Sequence, residues 1–371
     1  MKLPFTLSAL SLALLPALSL PLSAQQPAAQ QAAEAEYLPM EKLRSFYKLL
    51  PQPVRQEGVR SIGNSCTTLN FGPAPRDLTI GGYRCQLSHP VRDDGAGDLL
   101  ISRTDLVKLI DPVLRPTYIT NRYLVRTVVI DPGHGGYDSG STSEKINEAE
   151  FNLKLAALLR EELTKRGFTV VLTHEQNRHI SDQQRIAIAN EADAAIFISL
   201  HLNSGRSDIS GIETYTAAPD IPGSRRRPAN NHDAANAALA FAVHSSLIAS
   251  TGANDGACRR AHFNLLNSVT CPAIMVLPGY ITNKNEQSRL DTEEYRQQLA
   301  TAITEGIATF ARNLNPDAAL QPAPEAEAEP EPPTPVKMAP PAPAPRKARK
   351  AAPRNKSPKN NRRRRNNKRR R

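Results

Sequence analysis

Two histidines and one glutamate have residue types and positions that could build a metal-dependent hydrolytic site. His134 follows an apolar run at 128–130, His201 follows another at 194–200, and Glu148 begins an amphipathic stretch. Open α/β sheets bind ligands at the carboxyl ends of their strands, so the two histidines can meet at one edge. Either histidine could instead be an incidental turn residue, but their equivalent positions favour a shared site. Two imidazoles and a carboxylate are a common zinc ligand set that leaves one position for water, whose pKa the metal lowers.

The segment 125–314 alternates predicted strands and helices, which favours an α/β domain. Glycines at 133, 135 and 136 surround His134, where they permit positive φ and the close approach of another group. The predicted strands span 128–130, 169–173, 194–200, 212–217 and 273–277. The predicted helices span 148–166, 181–190, 234–249 and 292–311, with Ser181 as a predicted N-cap.

Four stretches in this segment resemble one known family. They read VVIDPGHGGYDSG from 128, EAEFNLKLAALL from 148, RIAIANEADAAIFISLHLNS from 185 and GIETYTAAP from 211. In this order they are similar to the type 3 N-acetylmuramoyl-L-alanine amidases, zinc enzymes that cleave peptidoglycan. The resemblance covers about half of the chain.

The resemblance implies an α/β fold with a mostly parallel six-stranded sheet flanked by helices. It also implies hydrolysis of the amide between the N-acetylmuramoyl lactyl group and L-alanine of the stem peptide, with one zinc ion. His134, Glu148 and His201 match the zinc ligands of the family. Asn203 and Arg260 are the predicted substrate-binding residues.

The sequence departs from the family at the position of the catalytic glutamate. Gly279, Tyr280 and Asn283 keep the register of the last family motif, and this register places Leu277 where the general base belongs. A leucine cannot accept or return a proton, and general acid–base catalysis typically contributes roughly 10²–10⁴-fold. Glu286 and His262 lie nearby in sequence as substitute bases, although neither is expected to replace the glutamate well.

Two functions therefore compete. The first is a peptidoglycan amidase whose turnover is weakened, or is rescued by another base. The second is a catalytically impaired homologue that binds peptidoglycan or regulates a partner amidase. Three intact ligand positions favour a retained metal, whereas Leu277 favours the second function.

The amino-terminal part predicts export. Residues 1–24 read as a signal peptide, with Lys2, an apolar core at 5–20 and a small-residue cleavage site; an uncleaved interfacial anchor is the alternative. A linker at 25–36 leads to a small α+β domain at 37–118. In it a predicted hairpin is followed by the helical stretch ISRTDLVKLIDPVLRP from 101. This arrangement weakly resembles the copper-amine-oxidase-like N-terminal domain of some bacterial wall enzymes, and the domain is either a binding module or purely structural. The predicted location is the periplasm or cell envelope.

The carboxyl-terminal part is strongly basic. A Pro/Ala/Glu-rich linker at 315–345 precedes a tail at 346–371 that holds 15 of the 47 Lys and Arg residues and no acid, so 32 basic residues face 36 acidic ones elsewhere. Both segments are predicted to be disordered. The tail is expected to adhere to an anionic envelope surface through its charge, or else to be a solvated extension. Specific nucleic-acid binding is disfavoured by the signal peptide and the scarcity of aromatic residues.

Four cysteines in a chain predicted to be exported raise the question of disulfides. Local pairing of Cys66 with Cys85 and of Cys258 with Cys271 is the simplest of the three possible connectivities. The sequence does not decide between them. In a reducing compartment all four would be small thiols.

Overall fold

A computed structural model describes residues 36–54, 56–120, 123–218 and 230–316. The predicted signal peptide at 1–24 and basic tail at 346–371 lie outside the described residues. So do nearly all of the two predicted linkers at 25–36 and 315–345.

One long mixed sheet organises the described residues. Six of its strands come from the segment 125–314: β9 (Thr127–Pro132), β10 (Thr169–Leu172), β11 (Ile196–Leu200), β12 (Ile212–Ala217), β13 (Asp255–Ala261) and β14 (Ala273–Leu277). They lie side by side in the order β10-β9-β11-β14-β12-β13. The first four in spatial order are parallel, and β12 then pairs antiparallel with β14 and parallel with β13. The predicted α/β fold with helices flanking the sheet is confirmed, but these six strands form part of a longer mixed sheet and reverse direction once.

The sheet continues into the amino-terminal part of the chain. Five strands of this part are β2 (Leu50–Pro51), β3 (Arg60–Gly63), β4 (Thr68–Phe71), β5 (Asp77–Ile80) and β6 (Tyr83–Gln86). β13 pairs in parallel with β6, and the other four extend the sheet through antiparallel pairs in the order β6-β5-β4-β3-β2. A separate three-stranded sheet contains β1 (Tyr37–Pro39), β7 (Arg92–Asp93) and β8 (Leu99–Ser102). The proposed boundary between 118 and 125 therefore does not separate two independent sheets.

Two of the helices that precede sheet strands begin at polar side chains that cap them. Before them in the chain lie α1 (Met40–Tyr47) and a helical run formed by α2 (Arg103–Asp105), a π-helical turn (Leu106–Ile110) and α3 (Asp111–Leu114). The helices of the segment 125–314 are α4 (Glu148–Lys165), α5 (Asp182–Glu191), α6 (Asp233–Thr251), α7 (Asn264–Ser268), α8 (Lys284–Leu290) and α9 (Glu293–Leu314). Asn147 caps α4, and Ser181 caps α5 in a reciprocal capping box with Gln184. Ser181 is the N-cap that the sequence predicts.

Helix α6 lies at the centre of the core on one face of the sheet. It packs against α9, β12 and the helical run before Leu114. Its length and apolar composition would allow it to cross a membrane, but half of it is buried inside the protein. Its apolar residues are explained by this packing, because neighbours surround the helix on several sides.

The structure does not support local pairing of the cysteines. Cys66 precedes β4 and is exposed, whereas Cys85 lies on β6, two strands away. Two strand spacings are about 9.5 Å, beyond the roughly 7 Å limit between the Cα atoms of a disulfide. Cys258 and Cys271 belong to different core clusters, on either side of the sheet. Cys85 and Cys258 are instead neighbours in register.

Candidate metal centre

The structure brings together the three residues that the sequence proposes as metal ligands. One potential ligand atom from each of His134, Glu148 and His201 lies within 4.8 Å of the other two. The Glu148 Oε1 atom is 3.1 Å from His134 Nε2 and 3.1 Å from His201 Nδ1. The two imidazole rings are nearly perpendicular, with centroids 4.9 Å apart. Among the described residues this is the cluster of histidine, cysteine and carboxylate groups that could hold a metal ion.

Three elements deliver these side chains to one edge of the sheet. His134 follows β9 and His201 follows β11, which are parallel neighbours, so both strands end at the same edge. Glu148 is the first residue of α4, and the main-chain N–H groups of Ser141 and Leu202 donate to its two carboxylate oxygens. These bonds fix the carboxylate before any metal binds. The sheet topology therefore brings the two strand ends together, as predicted from the sequence.

Two glycines make room for the ligands. A Cβ atom at Gly133 would lie 2.2 Å from the Cε1 atom of His201. At Gly140, where φ is +64°, a Cβ atom would lie 2.5 Å from the ring of His134 and 2.7 Å from Glu148. Neither position tolerates a side chain without displacing a ligand.

A buried ion pair beneath the site holds the loop that carries His134. Asp131 and Arg185 are joined at 2.5 Å, and both side chains are almost fully buried. The Arg185 guanidinium also donates to the main-chain carbonyls of Pro132 and His134. His134 itself has φ of 66°, a conformation that side chains other than glycine rarely adopt and that the surrounding bonds must impose. This pair was not predicted from the sequence, although Asp131 and Arg185 both lie inside the family-like stretches.

Hydrogen bonds and burial set the charge of the site. The hydrogen bond to Glu148 raises the pKa of His134 to about 9, with Asp138 adding to the effect against the opposing influence of burial. Burial alone would raise the pKa of Glu148, but hydrogen bonds from His134, His201 and Leu202 N–H lower it well below its usual range. Glu148 is thus an anion, as a metal ligand must be. His134 Nδ1 lies 2.9 Å from Asp138 Oδ2, the carboxylate contact that commonly orients a metal-binding imidazole.

The three side chains open into a cleft of about 690 Å³. Its lining combines polar side chains, among them Asp138, Asp182 and Asn203, with the apolar side chains of Phe263, Met275 and Leu277. Asn203, a predicted substrate-binding residue, therefore lies in the cleft. A cleft lined by both polar and apolar side chains can offer hydrogen-bond partners and apolar contacts to the same ligand.

Leu277, at the position where a general base is predicted, is one of the residues that line this cleft. Its side chain is 7% exposed, and it lies opposite Glu213 on the antiparallel strand β12. Opposed residues share a face, so Glu213 is the carboxylate beside Leu277. Sequence reasoning missed Glu213, whose position within GIETYTAAP was the available signal.

The hydrogen bonds of Glu213 define its role. Its carboxylate accepts from Asn203 Nδ2 at 2.7 Å, from Tyr215 at 2.9 Å and from Tyr280 at 3.2 Å. It also forms an ion pair with Arg259 at 3.0 Å. A carboxylate with four donors has little capacity left to accept a substrate proton, so Glu213 positions Asn203 rather than replacing the missing base.

The other predicted residues lie away from the cleft lining. The Arg260 guanidinium is buried and donates to Ser88 Oγ and to the main-chain carbonyl of Lys108, so its placement does not support substrate binding. Glu286 accepts from the main-chain N–H groups of Gly211 and Tyr280 and does not line the cleft. His262 is exposed, next to lining residues but not among them. Neither proposed substitute base is therefore brought to the metal ligands.

Fold and site together define an α/β protein with a candidate hydrolytic metal centre at the carboxyl ends of its strands. The family model described as N-acetylmuramoyl-L-alanine amidase matches residues 128–309. The uncharacterized protein YqiI of Bacillus subtilis is 31% identical over 185 residues, which cover 50% of this chain and 84% of YqiI. The N-acetylmuramoyl-L-alanine amidase LytC of the same organism is 30% identical over 196 residues, covering 52% of this chain and 37% of LytC.

Solved structures give matches of similar extent. The catalytic domain of CwlV, an amidase from Bacillus (Paenibacillus) polymyxa var. colistinus, is 31% identical with a TM-score of 0.45, covering 50% of this chain and 97% of that one. AmiC2 of Nostoc punctiforme is 30% identical with a TM-score of 0.45 and the same coverage. The chain belongs to the N-acetylmuramoyl-L-alanine amidase family, which acts on peptidoglycan, and the predicted family, fold class and activity class are confirmed.

Proposed function

We propose that this protein is an exported, zinc-dependent amidase that hydrolyses the bond between the N-acetylmuramoyl lactyl group and L-alanine. The observation that carries the proposal is the cluster of His134, Glu148 and His201 at the end of two parallel strands. Two imidazoles and one carboxylate fit Zn²⁺ and leave a coordination position open. The anionic state of Glu148 and the donors that fix it are consistent with this fit.

A zinc ion held by these three side chains would supply a Lewis acid that lowers the pKa of water and polarises the amide carbonyl. The chain's own residues provide the remaining parts. Asp138 and the Asp131–Arg185 pair orient His134, and Glu213 orients Asn203 in the cleft. The cleft binds the stem peptide, with Asn203 offering its amide to the peptide backbone. Leu277 brings no proton-transfer group to the scissile bond, so turnover is expected to be low.

Leu277 also favours a second function. A protein that keeps its metal and its cleft but lacks the general base would bind the muropeptide without releasing product quickly. It would then act as a peptidoglycan-binding protein or as a regulator of an active amidase.

Digestion of purified peptidoglycan by the zinc-loaded mature protein tests both functions. Free stem peptides are measured by mass spectrometry, and the control is His134→Ala, which removes a ligand. Release by the wild type that is lost in His134→Ala supports the amidase. Absence of release, together with zinc-dependent co-sedimentation with peptidoglycan, supports the binding function. Absence of both would refute the proposal.

We further propose that the basic segment 346–371 attaches the exported protein to an anionic envelope surface. Its 15 Lys and Arg residues without an acid support this, because such binding releases counterions and weakens as salt increases. A variant that ends at residue 345 should lose salt-sensitive binding to vesicles containing anionic phospholipid, while its zinc content stays unchanged. Equal binding by both forms would contradict the proposal.

A further inference from the structure

Two cysteines lie side by side where the amino-terminal strands join the amidase sheet. Cys85 on β6 and Cys258 on β13 are direct partners in a parallel pair. Neighbouring strands lie about 4.8 Å apart, within the 4.4–6.8 Å range that Cα atoms of disulfides usually show. The backbone therefore places the two residues at a distance that a disulfide can bridge without strand movement.

A bulge in β13 directs Cys258 toward the same core as Cys85. Ile212 pairs with Asp255 and Thr214 pairs with Cys258, so β13 advances three residues while β12 advances two. Within the bulge, Ala257 has φ of 89°. Such an extra residue changes which face the following side chains occupy. Cys258 consequently belongs to the core cluster that also contains Cys85.

The thiols of this pair are enclosed and interact with each other. Cys85 is 2% exposed and Cys258 is 6% exposed. Burial raises the pKa of the Cys258 thiol, and the neighbouring Cys85 thiol raises it further. The reactive species in disulfide chemistry is the thiolate, so the folded, reduced protein should react slowly. Oxidation would take place while the chain folds and the thiols are still accessible.

We propose that Cys85 and Cys258 form a disulfide that covalently joins the amino-terminal strands to the amidase sheet. The step is thiol–disulfide exchange with a small-molecule or protein disulfide. One thiolate attacks the oxidant to give a mixed disulfide, and the second thiolate displaces the oxidant's remaining sulfur. The two cysteines lose two electrons and two protons, and the oxidant is reduced to two thiols. Cys66 and Cys271 stay reduced, since neither has a cysteine within reach.

Peptide mapping of the full chain tests the proposal. The denatured, reduced protein is refolded with a mixture of reduced and oxidised glutathione, denatured again, and treated with N-ethylmaleimide without reductant. We expect a linked peptide pair containing Cys85 and Cys258, with alkylation of Cys66 and Cys271. Alkylation of all four cysteines, or a link that includes Cys66 or Cys271, would overturn the proposal.

Thermal unfolding supplies a second test with matched controls. Reductant should lower the Tm of the oxidised wild type by on the order of 5–10 °C, because the bond closes a long loop. The double variant Cys85→Ser with Cys258→Ser should not respond to reductant, whereas Cys66→Ser with Cys271→Ser should respond as the wild type does. An identical response in both double variants would refute the link. Because these measurements do not involve zinc or peptidoglycan, they stand whether or not the protein turns over substrate.

Discussion

Replacing Leu277 by glutamate should raise the turnover of the proposed zinc amidase. The side chain at this position lines the cleft that also contains His134, Glu148 and His201. Leu277→Glu would therefore introduce a carboxylate into the lining of the cleft, at the position where the resemblance to the family places the general base. Leu277→Gln is the matched control, because glutamine has nearly the same shape but cannot accept the proton.

The expected gain in turnover is roughly 10²–10⁴-fold, the usual contribution of general acid–base catalysis. The substitution also costs stability. Removing the leucine, which is 7% exposed, should cost about 2 kcal/mol of burial free energy. Glu213 lies directly opposite, and a like-charge pair across strands should cost up to about 1 kcal/mol more. The total of about 2–3 kcal/mol should lower the Tm by roughly 5–10 °C.

The assay measures release of stem peptides from purified peptidoglycan at saturating zinc, with zinc content determined for each variant. Leu277→Glu should raise the rate, and Leu277→Gln should leave it at the wild-type level despite a similar loss of stability. Equal stimulation by both variants would show that polarity or altered packing, rather than proton transfer, limits the reaction. A folded, zinc-loaded Leu277→Glu protein without increased release would refute the assignment of position 277 to the base.

Three further perturbations test the supports of the site and of the sheet. Replacing Arg185 by methionine leaves a buried carboxylate unpaired and should cost about 3–5 kcal/mol in a denaturant titration. Gly133→Ala places a methyl group against the imidazole ring of His201 and should weaken zinc binding at least about tenfold in a calorimetric titration. An almost unchanged zinc affinity would show that His201 is not a zinc ligand. Burial alone would raise the pKa of Asp255, but hydrogen bonds from His244 and from main-chain N–H groups lower it overall. The ionised Asp255 side chain therefore stabilises the fold above about pH 4, and this stabilisation is lost as the pH falls through the lowered pKa. Asp255→Asn should therefore reduce the Tm at neutral pH and flatten its decline in acid; an unchanged Tm–pH profile would contradict this.

Local signals in the sequence were sufficient for much of the amidase domain. The predicted strand at 212–217 matches β12 at both ends, and Ser181 caps α5 as predicted. The ligand cluster was also predictable, because parallel strands that are adjacent must end at one edge and the histidines follow two such strands.

The parts that were missed depend on pairing between distant residues. β13 was not predicted because its sequence, Asp-Gly-Ala-Cys-Arg-Arg-Ala, has neither an apolar run nor simple alternation. β13 lies in the middle of the sheet because it pairs with β12 on one side and with β6 on the other. β6 is more than 160 residues earlier in the chain, so this pairing has no local signal in the sequence. The same pairing extends the sheet into the amino-terminal part and determines which cysteines meet. Proximity in sequence therefore favoured the pairs Cys66–Cys85 and Cys258–Cys271, whereas the structure brings Cys85 and Cys258 together.

The candidate metal centre and the predicted base position have different structural requirements. Placing the ligands involves the strand ends, two glycines, the Asp131–Arg185 pair and the main-chain donors to Glu148, so most changes there would also disturb the fold. The base position depends on a single side chain in the cleft wall. A leucine fits that wall beside Tyr215 and Met275 without unpaired polar atoms, and Glu213 remains satisfied by its own four donors. A leucine at the predicted base position is therefore compatible with the observed ligand cluster, so turnover must be measured separately from zinc binding and folding.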